Sequence, residues 1–269
     1  MDDTLGAATA ARVLERLGLP GPPDVSGGGL KGLYRAWCLH VPFENSLKRL
    51  ALAAPGRAPL PGATAEEFFD SWLTFGTGGT CWPTSNALYT LLVACGFEAR
   101  RVSGSMFDVG EHNHGSVIVR LDGADWIVDS SMLTDVLVPL RPGQSFERAD
   151  PVHPVAAEPS DGGWLISFGY TLSRDTMPWR LLRDPVDHAF YQERHEDSRA
   201  RSLFNVAVYA RRNRPDGLVS LVGPNRFFKG SEAITADILD AEGVARVLVE
   251  EIGIASEIVS NLKSADLLG

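Results

Sequence analysis

Three side chains in the sequence are of the types that together perform nucleophilic catalysis: a cysteine, a histidine and an aspartate. Cys81 follows the turn Gly78-Gly79-Thr80 and precedes Pro83, and proline is tolerated inside a helix only in the first turn. The sequence therefore places Cys81 at a helix N-terminus, where unpaired backbone N–H groups and the helix dipole favour a thiolate. The glycines also allow a substrate carbonyl to approach the backbone closely. We predict that Cys81 is a nucleophile.

The alternative for any cysteine is a buried, inert thiol. Cys38 and Cys95 lie inside helical patterns on or near the apolar stripe, where cysteine usually behaves as a small hydrophobic residue. We therefore predict that both are inert. Three cysteines are too few for a disulfide scaffold, and none forms a Cys-x-x-Cys pair.

A predicted hairpin supplies a base for the thiol and a partner for that base. Asp122-Gly123 joins two alternating segments, which is a strong hairpin signal. A two-residue turn pairs Leu121 with Ala124, and the same register places His114 and Asp129 on one face as diagonal neighbours. Such neighbours are roughly 7–8 Å apart between α-carbons, within reach of an imidazole and a carboxylate. We predict that His114 is the base and Asp129 its orienting group.

Other roles are open to these histidines. His112 and His114 form a His-x-His pair of the kind that binds zinc, but no second ligand pair stands nearby, so we predict no metal site. His114 is alternatively a structural histidine, and Asp129 a turn residue at a strand end. Three further histidines lie in polar segments that we interpret as loops without a functional role: His153, His188 and His195.

Composition and charge exclude other classes of protein. The 269 residues are 44% hydrophobic and 22% charged, which is typical of a globular protein with a sizeable core. The net charge of −9 argues against broad nucleic-acid binding. No apolar run is long enough to span a bilayer, and the N-terminus is acidic where a secretory signal is basic. We expect a cytoplasmic enzyme without nucleic-acid or membrane partners.

The periodicity divides the chain into three parts. Residues 1–97 have helical spacing, residues 98–195 alternate as antiparallel strands of a small barrel or curled sheet, and residues 196–269 combine both patterns. The predicted helices cover 5–17, 30–37, a segment opened by the capping residue Thr64, 82–95 and 241–251. The predicted strands cover 101–106, 116–121, 124–128, 164–172, 205–210 and 218–221.

Several dispersed motifs, in the same order along the chain, resemble those of the arylamine N-acetyltransferase family. Their number and order make the match specific. The similar segments are His40–Asn45, Gly78–Cys81, Leu88–Phe97, Asn113-His114, Trp126–Asp129, Ser202–Phe204 and Pro215–Gly217.

This resemblance implies a fold, an activity and a set of roles. The implied fold is α+β, with an N-terminal helical domain, an antiparallel β-barrel and a C-terminal α/β lid. Carried over, Cys81 is the nucleophile, His114 the base and Asp129 its orienter. The implied reaction transfers an acyl group from a thioester such as acyl-CoA, through an acyl-cysteine, to a small amine. No cofactor is bound permanently, since the acyl-CoA or acyl-carrier thioester is a co-substrate.

The sequence departs from the family pattern beside the nucleophile and the aspartate. Thr77 replaces the arginine of Arg-Gly-Gly, Ser85 replaces an asparagine, and Ser130-Ser131-Met132 lacks the usual glycine and aromatic residue. These changes leave room for an amide synthase or macrolactam-forming enzyme that takes its acyl chain from an acyl carrier protein. A protease or transglutaminase fits less well, because the family carries a lid over the cleft. A non-catalytic binding protein on the same fold is the alternative of another class.

Basic residues are frequent in the C-terminal part. They are either a local site for a phosphorylated donor or ordinary surface charge. The residues concerned are Arg199, Arg201, Arg211, Arg212, Arg214, Arg226 and Lys229.

Overall fold

Eight α-helices and two antiparallel sheets are found in residues 2–56 and 58–269, the part of the chain that our computed structural model describes. The helices are α1 (Ala7–Arg16), α2 (Gly27–His40), α3 (Ser46–Ala53), α4 (Ala65–Phe75), α5 (Cys81–Ala94), α6 (His188–Arg201), α7 (Ala241–Val247) and α8 (Ser256–Ser264). A π-helical turn, Leu248–Ile252, continues α7. None of these helices is long and apolar enough to cross a membrane.

Helices α1 to α5 form the N-terminal part around an aromatic core. The Thr64 side chain accepts a hydrogen bond from Glu67 N and caps α4, as the capping pattern predicts. Gly76, with φ 68°, ends the same helix in the left-handed conformation that glycine adopts without strain. Trp37 and Phe69 are fully buried between these helices and meet edge to face.

The larger sheet curls into a barrel-like form. Its eight strands are β2 (Glu98–Met106), β3 (His114–Leu121), β4 (Ala124–Val128), β5 (Val138–Leu140), β6 (Phe146–Arg148), β7 (Val155–Ser160), β8 (Gly163–Gly169) and β9 (Thr176–Val186). Their order is β5-β4-β3-β2-β9-β8-β7-β6, and β5 also contacts β7. The predicted hairpin register is confirmed, since Leu121 pairs with Ala124 and Val119 with Trp126.

The smaller sheet combines one short strand of the N-terminal part with four strands of the C-terminal part. It has the order β1-β10-β11-β12-β13. The strands are β1 (Phe43–Glu44), β10 (Tyr209–Arg214), β11 (Gly217–Val222), β12 (Asn225–Gly230) and β13 (Ile234–Ile238). The strand predicted over 205–210 begins only at Tyr209, because the Asn45 amide donates to Phe204 O and Ala207 O in the segment before it. Helices α7 and α8 cover one face of this sheet.

Helix α6 connects the two sheets and contains two histidines that we predicted to lie in loops. His188 and His195 lie in this helix and are buried, not in loops. The Asp187 side chain caps the helix by accepting from Phe190 N at 2.9 Å. The two imidazoles hydrogen-bond Ala63 O and Pro61 O, each at 3.0 Å, and so attach α6 to the N-terminal part. The predicted division after residue 195 falls inside α6.

Candidate active site

Cys81 is the first residue of α5, where the sequence places it. The turn before it lies tightly against the end of α2, because a Cβ on Gly78 would come within 1.8 Å of Pro42 O. Glu44 accepts from Gly78 N at 2.9 Å and fixes the same turn. The Cys81 side chain is buried, and its Sγ lies 3.8 Å from Asn113 O, beside the residue that begins β3. The turn thus places the Cys81 thiol beside the start of β3, the strand that begins with His114.

His114 and Asp129 meet as the hairpin register requires. The imidazole Nε2 lies 2.8 Å from Asp129 Oδ2, and both side chains are buried. The other carboxylate oxygen accepts from Ser131 N at 2.9 Å and from Met132 N at 2.7 Å. Because Nε2 is engaged with the carboxylate, Nδ1 is the ring nitrogen left for the Cys81 thiol. The structure therefore brings Cys81, His114 and Asp129 together.

Charge around His114 favours its protonated form. Burial alone lowers the pKa of His114, but the Asp129 carboxylate and then Cys81 outweigh burial and raise this pKa to about 10. For Asp129 burial acts in the other direction and raises the pKa. The His114 charge and the Met132 N–H outweigh burial and hold the pKa of Asp129 below its usual value. The imidazole thus lies between the Asp129 carboxylate, which favours its protonated form, and the Cys81 side chain.

A cavity of about 680 Å³ opens onto Cys81 and His114. Its walls come from all three parts of the chain. An aromatic group lines one side, with Phe43 and Tyr209 ring centroids 5.7 Å apart and Phe204 within 5.0 Å of Phe43. The cavity has space for a substrate much larger than an acetyl group.

The altered residues beside Asp129 form one network of hydroxyl groups. Ser85 donates to Gly115 O at 2.8 Å and lies 2.9 Å from the Ser130 hydroxyl. Ser130 donates to Thr84 Oγ1 at 3.0 Å, and Ser131 Oγ lies 3.3 Å from the same oxygen. All four hydroxyl side chains are buried. The network joins the helix of the nucleophile to the loop after the aspartate.

The altered residue Thr77 directly precedes the nucleophile turn and is not part of the hydroxyl network. Its side chain is fully buried, and its Oγ1 has no hydrogen-bond partner among the residues that the structure describes. Glu44 is also buried and accepts from the N–H groups of Ser46 and Gly78. Burial raises the pKa of Glu44.

Sequence reasoning missed Lys48 in this site and named Arg211 only as one of seven basic residues. Lys48 is buried, and its ammonium group donates to Ser198 Oγ, on the cavity wall, at 2.9 Å. Burial lowers the pKa of Lys48 to about 8, although the nearby Cys81 opposes this shift. Arg211 is buried on β10 and lines the cavity. Only an unexpected charge in an apolar segment could have singled out Lys48, and nothing local distinguishes Arg211 from its neighbours.

The basic residues of the C-terminal part do not form one patch. Arg226 and Arg214 contact Glu251, and Arg199 contacts Glu196. Two others donate to backbone carbonyls: Arg212 to Leu39 O and Ile252 O, and Lys229 to the carbonyl of Tyr170, a cavity residue. Of the seven, Arg201 and Arg211 line the cavity.

The remaining candidate side chains do not contact His114 or Asp129, although His112 lines the same cavity. His112 Nδ1 lies 2.6 Å from Ser103 Oγ. Within the described ranges, no group of three or more His, Cys, Asp or Glu side chains is placed to hold a metal ion. Cys38 and Cys95 are buried with free thiols, and burial raises the pKa of both.

Comparisons with known proteins show which family this chain resembles. The N-acetyltransferase family model matches residues 29–260. An arylamine N-acetyltransferase of Mycolicibacterium smegmatis is 30% identical over 186 residues, which are 69% of this chain and 54% of that protein. Proansamycin X synthase of Amycolatopsis mediterranei is 26% identical over 121 residues, 43% of this chain and 45% of that protein. The matched segments thus span about half the length of these curated relatives.

The fold is that of solved arylamine N-acetyltransferases. The Mycobacterium marinum enzyme superimposes with a TM-score of 0.81 at 18% identity, covering 97% of this chain and 100% of that chain. A structure from Salmonella typhimurium gives a TM-score of 0.80 at 15% identity, over 96% and 97% of the two chains. These likenesses confirm the predicted α+β fold. Since the family model also matches most of its length, the chain belongs to the arylamine N-acetyltransferase family.

Proposed function

We propose that this protein is an N-acyltransferase that forms an amide through an acyl-Cys81 intermediate. The observation that carries the proposal is the contact of His114 with Asp129 at 2.8 Å, beside a thiol that opens onto a large cavity. Family membership supports acyl transfer as the class of reaction. The roles of the three side chains are our inference from their geometry.

In the first step, the Cys81 thiolate attacks the carbonyl carbon of an acyl thioester. The N–H groups of Cys81 and Trp82 belong to the first turn of α5, where no intrahelical acceptor exists, and can hold the oxyanion. The carbon–sulfur bond of the donor then breaks, and the leaving thiolate takes the proton of His114. Because one thioester replaces another, this step is close to isoenergetic.

In the second step, an amine attacks the acyl-Cys81 carbonyl. Acylation removes the thiolate charge that helps to raise the pKa of His114, so the neutral imidazole is now a competent base. His114 takes the proton of the attacking amine, Asp129 keeps the ring oriented, and the amide leaves. The thiolate and imidazolium are restored together.

The mass of the intact protein tests this proposal. On incubation with acetyl-CoA or a longer acyl-CoA, we expect the protein to gain one acyl group and to lose it when an arylamine is added. Cys81→Ala should abolish the gain, whereas Cys95→Ala, the matched control, should keep it. Retention of the acyl mass in Cys81→Ala would overturn the assignment of the nucleophile.

A second candidate is an amide synthase that takes a longer acyl chain from a carrier protein. Two observations favour it: the cavity of about 680 Å³, and a curated relative that is named as a synthase. Of the altered residues, Ser131 and Met132 line the cavity, whereas Thr77 and Ser85 do not.

Acylation rates separate the two candidates. The rates with acetyl-CoA, with longer acyl-CoAs and with the same chains on a carrier protein can be compared directly. Fastest acylation by acetyl-CoA, followed by efficient discharge to arylamines, would leave ordinary arylamine acetylation as the function. Fastest acylation from a carrier-bound long chain would establish the synthase.

A further inference from the structure

The cavity wall includes Arg211, a buried cation with no ion-pair partner in the described part of the chain. Arg211 is 4% exposed, and no carboxylate in residues 2–56 and 58–269 forms an ion pair with it. Its Nη2 donates to Ser131 O and contacts Met132 Sδ at 3.6 Å. Its Nε is buried without any hydrogen-bond partner. A guanidinium stays charged at any physiological pH, so this charge cannot be avoided by deprotonation.

The surroundings of Arg211 compensate its charge only in part. The guanidinium carbon lies 4.6 Å from the centre of the Phe43 ring, in a cation–π contact. A carbonyl, a sulfur atom and a ring face are weak substitutes for the water that burial removes. A buried cation of this kind is ordinarily paired with an anion.

The other arginines of the cavity differ from Arg211. Arg194 lies 3.0 Å from Asp197 and also contacts Glu193. Arg201 is exposed on the cavity wall. Arg211, by contrast, contacts the loop that immediately follows Asp129 and lines the same cavity as Cys81 and His114.

We propose that Arg211 is a specificity residue that binds a carboxylate of the substrate inside the cavity. This proposal rests on the proposed function and names the class of its substrate: one that carries an acid besides the reacting group. A carboxylate accepts two parallel hydrogen bonds from a guanidinium, and such charge-assisted bonds are roughly twice as strong as neutral ones. The acid can belong to the acyl group or to the amine, and the chemistry of recognition is the same.

Matched substrate pairs distinguish these two sources. For the acyl group, we compare succinyl-CoA with butyryl-CoA by the rate of Cys81 acylation. For the amine, we compare 4-aminobenzoate with 4-aminobenzamide by the rate at which each discharges the acyl enzyme. In one of the two arms, we expect the charged substrate to react about tenfold to a hundredfold faster than its neutral partner.

The ratio of charged to neutral rates is the decisive quantity. Arg211→Gln should reduce this ratio to about one, and Arg211→Lys should give an intermediate value because it keeps the charge but loses the paired donors. A general folding defect slows both substrates and leaves the ratio unchanged. Arg214→Gln, which removes the same charge from an exposed position of the same strand, should keep the wild-type ratio.

Failure of this inference can be told apart from failure of the proposed function. An unchanged ratio in Arg211→Gln, or no preference in either arm, overturns the role of Arg211 even though Cys81 is acylated. If no thioester acylates Cys81, equilibrium binding of the same four compounds to Cys81→Ala still tests the site. Equal affinities for charged and neutral compounds in that experiment would also overturn it.

Discussion

Two buried polar regions flank the candidate active site, and they differ in how their hydrogen bonds are satisfied. Between α5 and the loop after Asp129, the hydroxyls of Thr84, Ser85, Ser130 and Ser131 bond one another and the backbone. Around the nucleophile turn, Thr77 Oγ1 has no partner in the described part of the chain, and burial raises the pKa of Glu44.

Both regions carry departures from the family pattern, but with different physical consequences. The hydroxyl groups of Ser85 and Ser130 lie 2.9 Å apart, and each also donates to another oxygen. Thr77 is an uncharged residue whose buried hydroxyl has no hydrogen-bond partner in the described part of the chain. A buried network is stabilising when complete and costly when partial. We therefore expect the hydroxyl network to be sensitive to substitution and Thr77 to tolerate it.

The largest effect is expected for Asp129, which is held by the loop of the hydroxyl network. Asp129→Asn keeps the shape but favours the wrong imidazole tautomer, and we expect acyl transfer to slow by roughly 10³–10⁴-fold. This figure is that of the corresponding change in the serine triad, a known example. The measurement is the single-turnover rate of Cys81 acylation, and a rate within tenfold of wild type would mean that Asp129 has a structural role.

The charge of His114 predicts a pH dependence of stability. Its folded-state pKa of about 10 is above its usual value of 6.5, so the folded protein binds this proton more tightly than the unfolded chain does. The resulting stabilisation is complete below pH 6.5 and is lost as the pH rises towards about 10. Urea unfolding across this range should show the loss, and Asp129→Asn should reduce it. An imidazole that titrates near 6.5 in a nuclear magnetic resonance experiment would contradict this prediction.

A smaller effect is expected for Ser85 in the hydroxyl network. Ser85→Ala removes the donor to Gly115 O and a neighbour of Ser130 Oγ, and we expect a loss of about 1–3 kcal/mol in the free energy of unfolding. Urea unfolding measures this loss. A change below about 0.5 kcal/mol, as for an ordinary surface substitution, would show that the network contributes little.

The smallest effect is expected for Thr77. Thr77→Val keeps the shape and removes a buried hydroxyl without a partner, so the free energy of unfolding should stay within about 0.5 kcal/mol or rise by up to about 1 kcal/mol. The same unfolding experiment measures this change. Destabilisation comparable to that of Ser85→Ala would remove the contrast between the two regions.

Local signals predicted the parts of the site that short-range geometry fixes. The Asp122-Gly123 turn sets the register that brings His114 to Asp129, and Pro83 restricts Cys81 to a first helical turn. Both follow from steric and hydrogen-bonding limits within a few residues of the chain.

Long-range contacts could not be predicted in the same way. Arg211 contacts Ser131 across 80 residues of sequence. The Asn45 side chain holds the backbone before Tyr209, so the strand predicted from residue 205 begins at 209. The charged segment of α6 has no apolar stripe, so nothing in its periodicity shows that His195 is buried. Tertiary contacts determine the environment of these residues, and no local sequence pattern predicts those contacts.

The central claim is that acyl-Cys81 lies on the route from thioester to amide. Rapid quenching with mass analysis of the Cys81 peptide measures how fast this species forms and how fast an amine discharges it. We expect both rates to equal or exceed the turnover rate, and no amide to form with Cys81→Ala. Discharge slower than turnover, or amide formation by Cys81→Ala, would contradict the account.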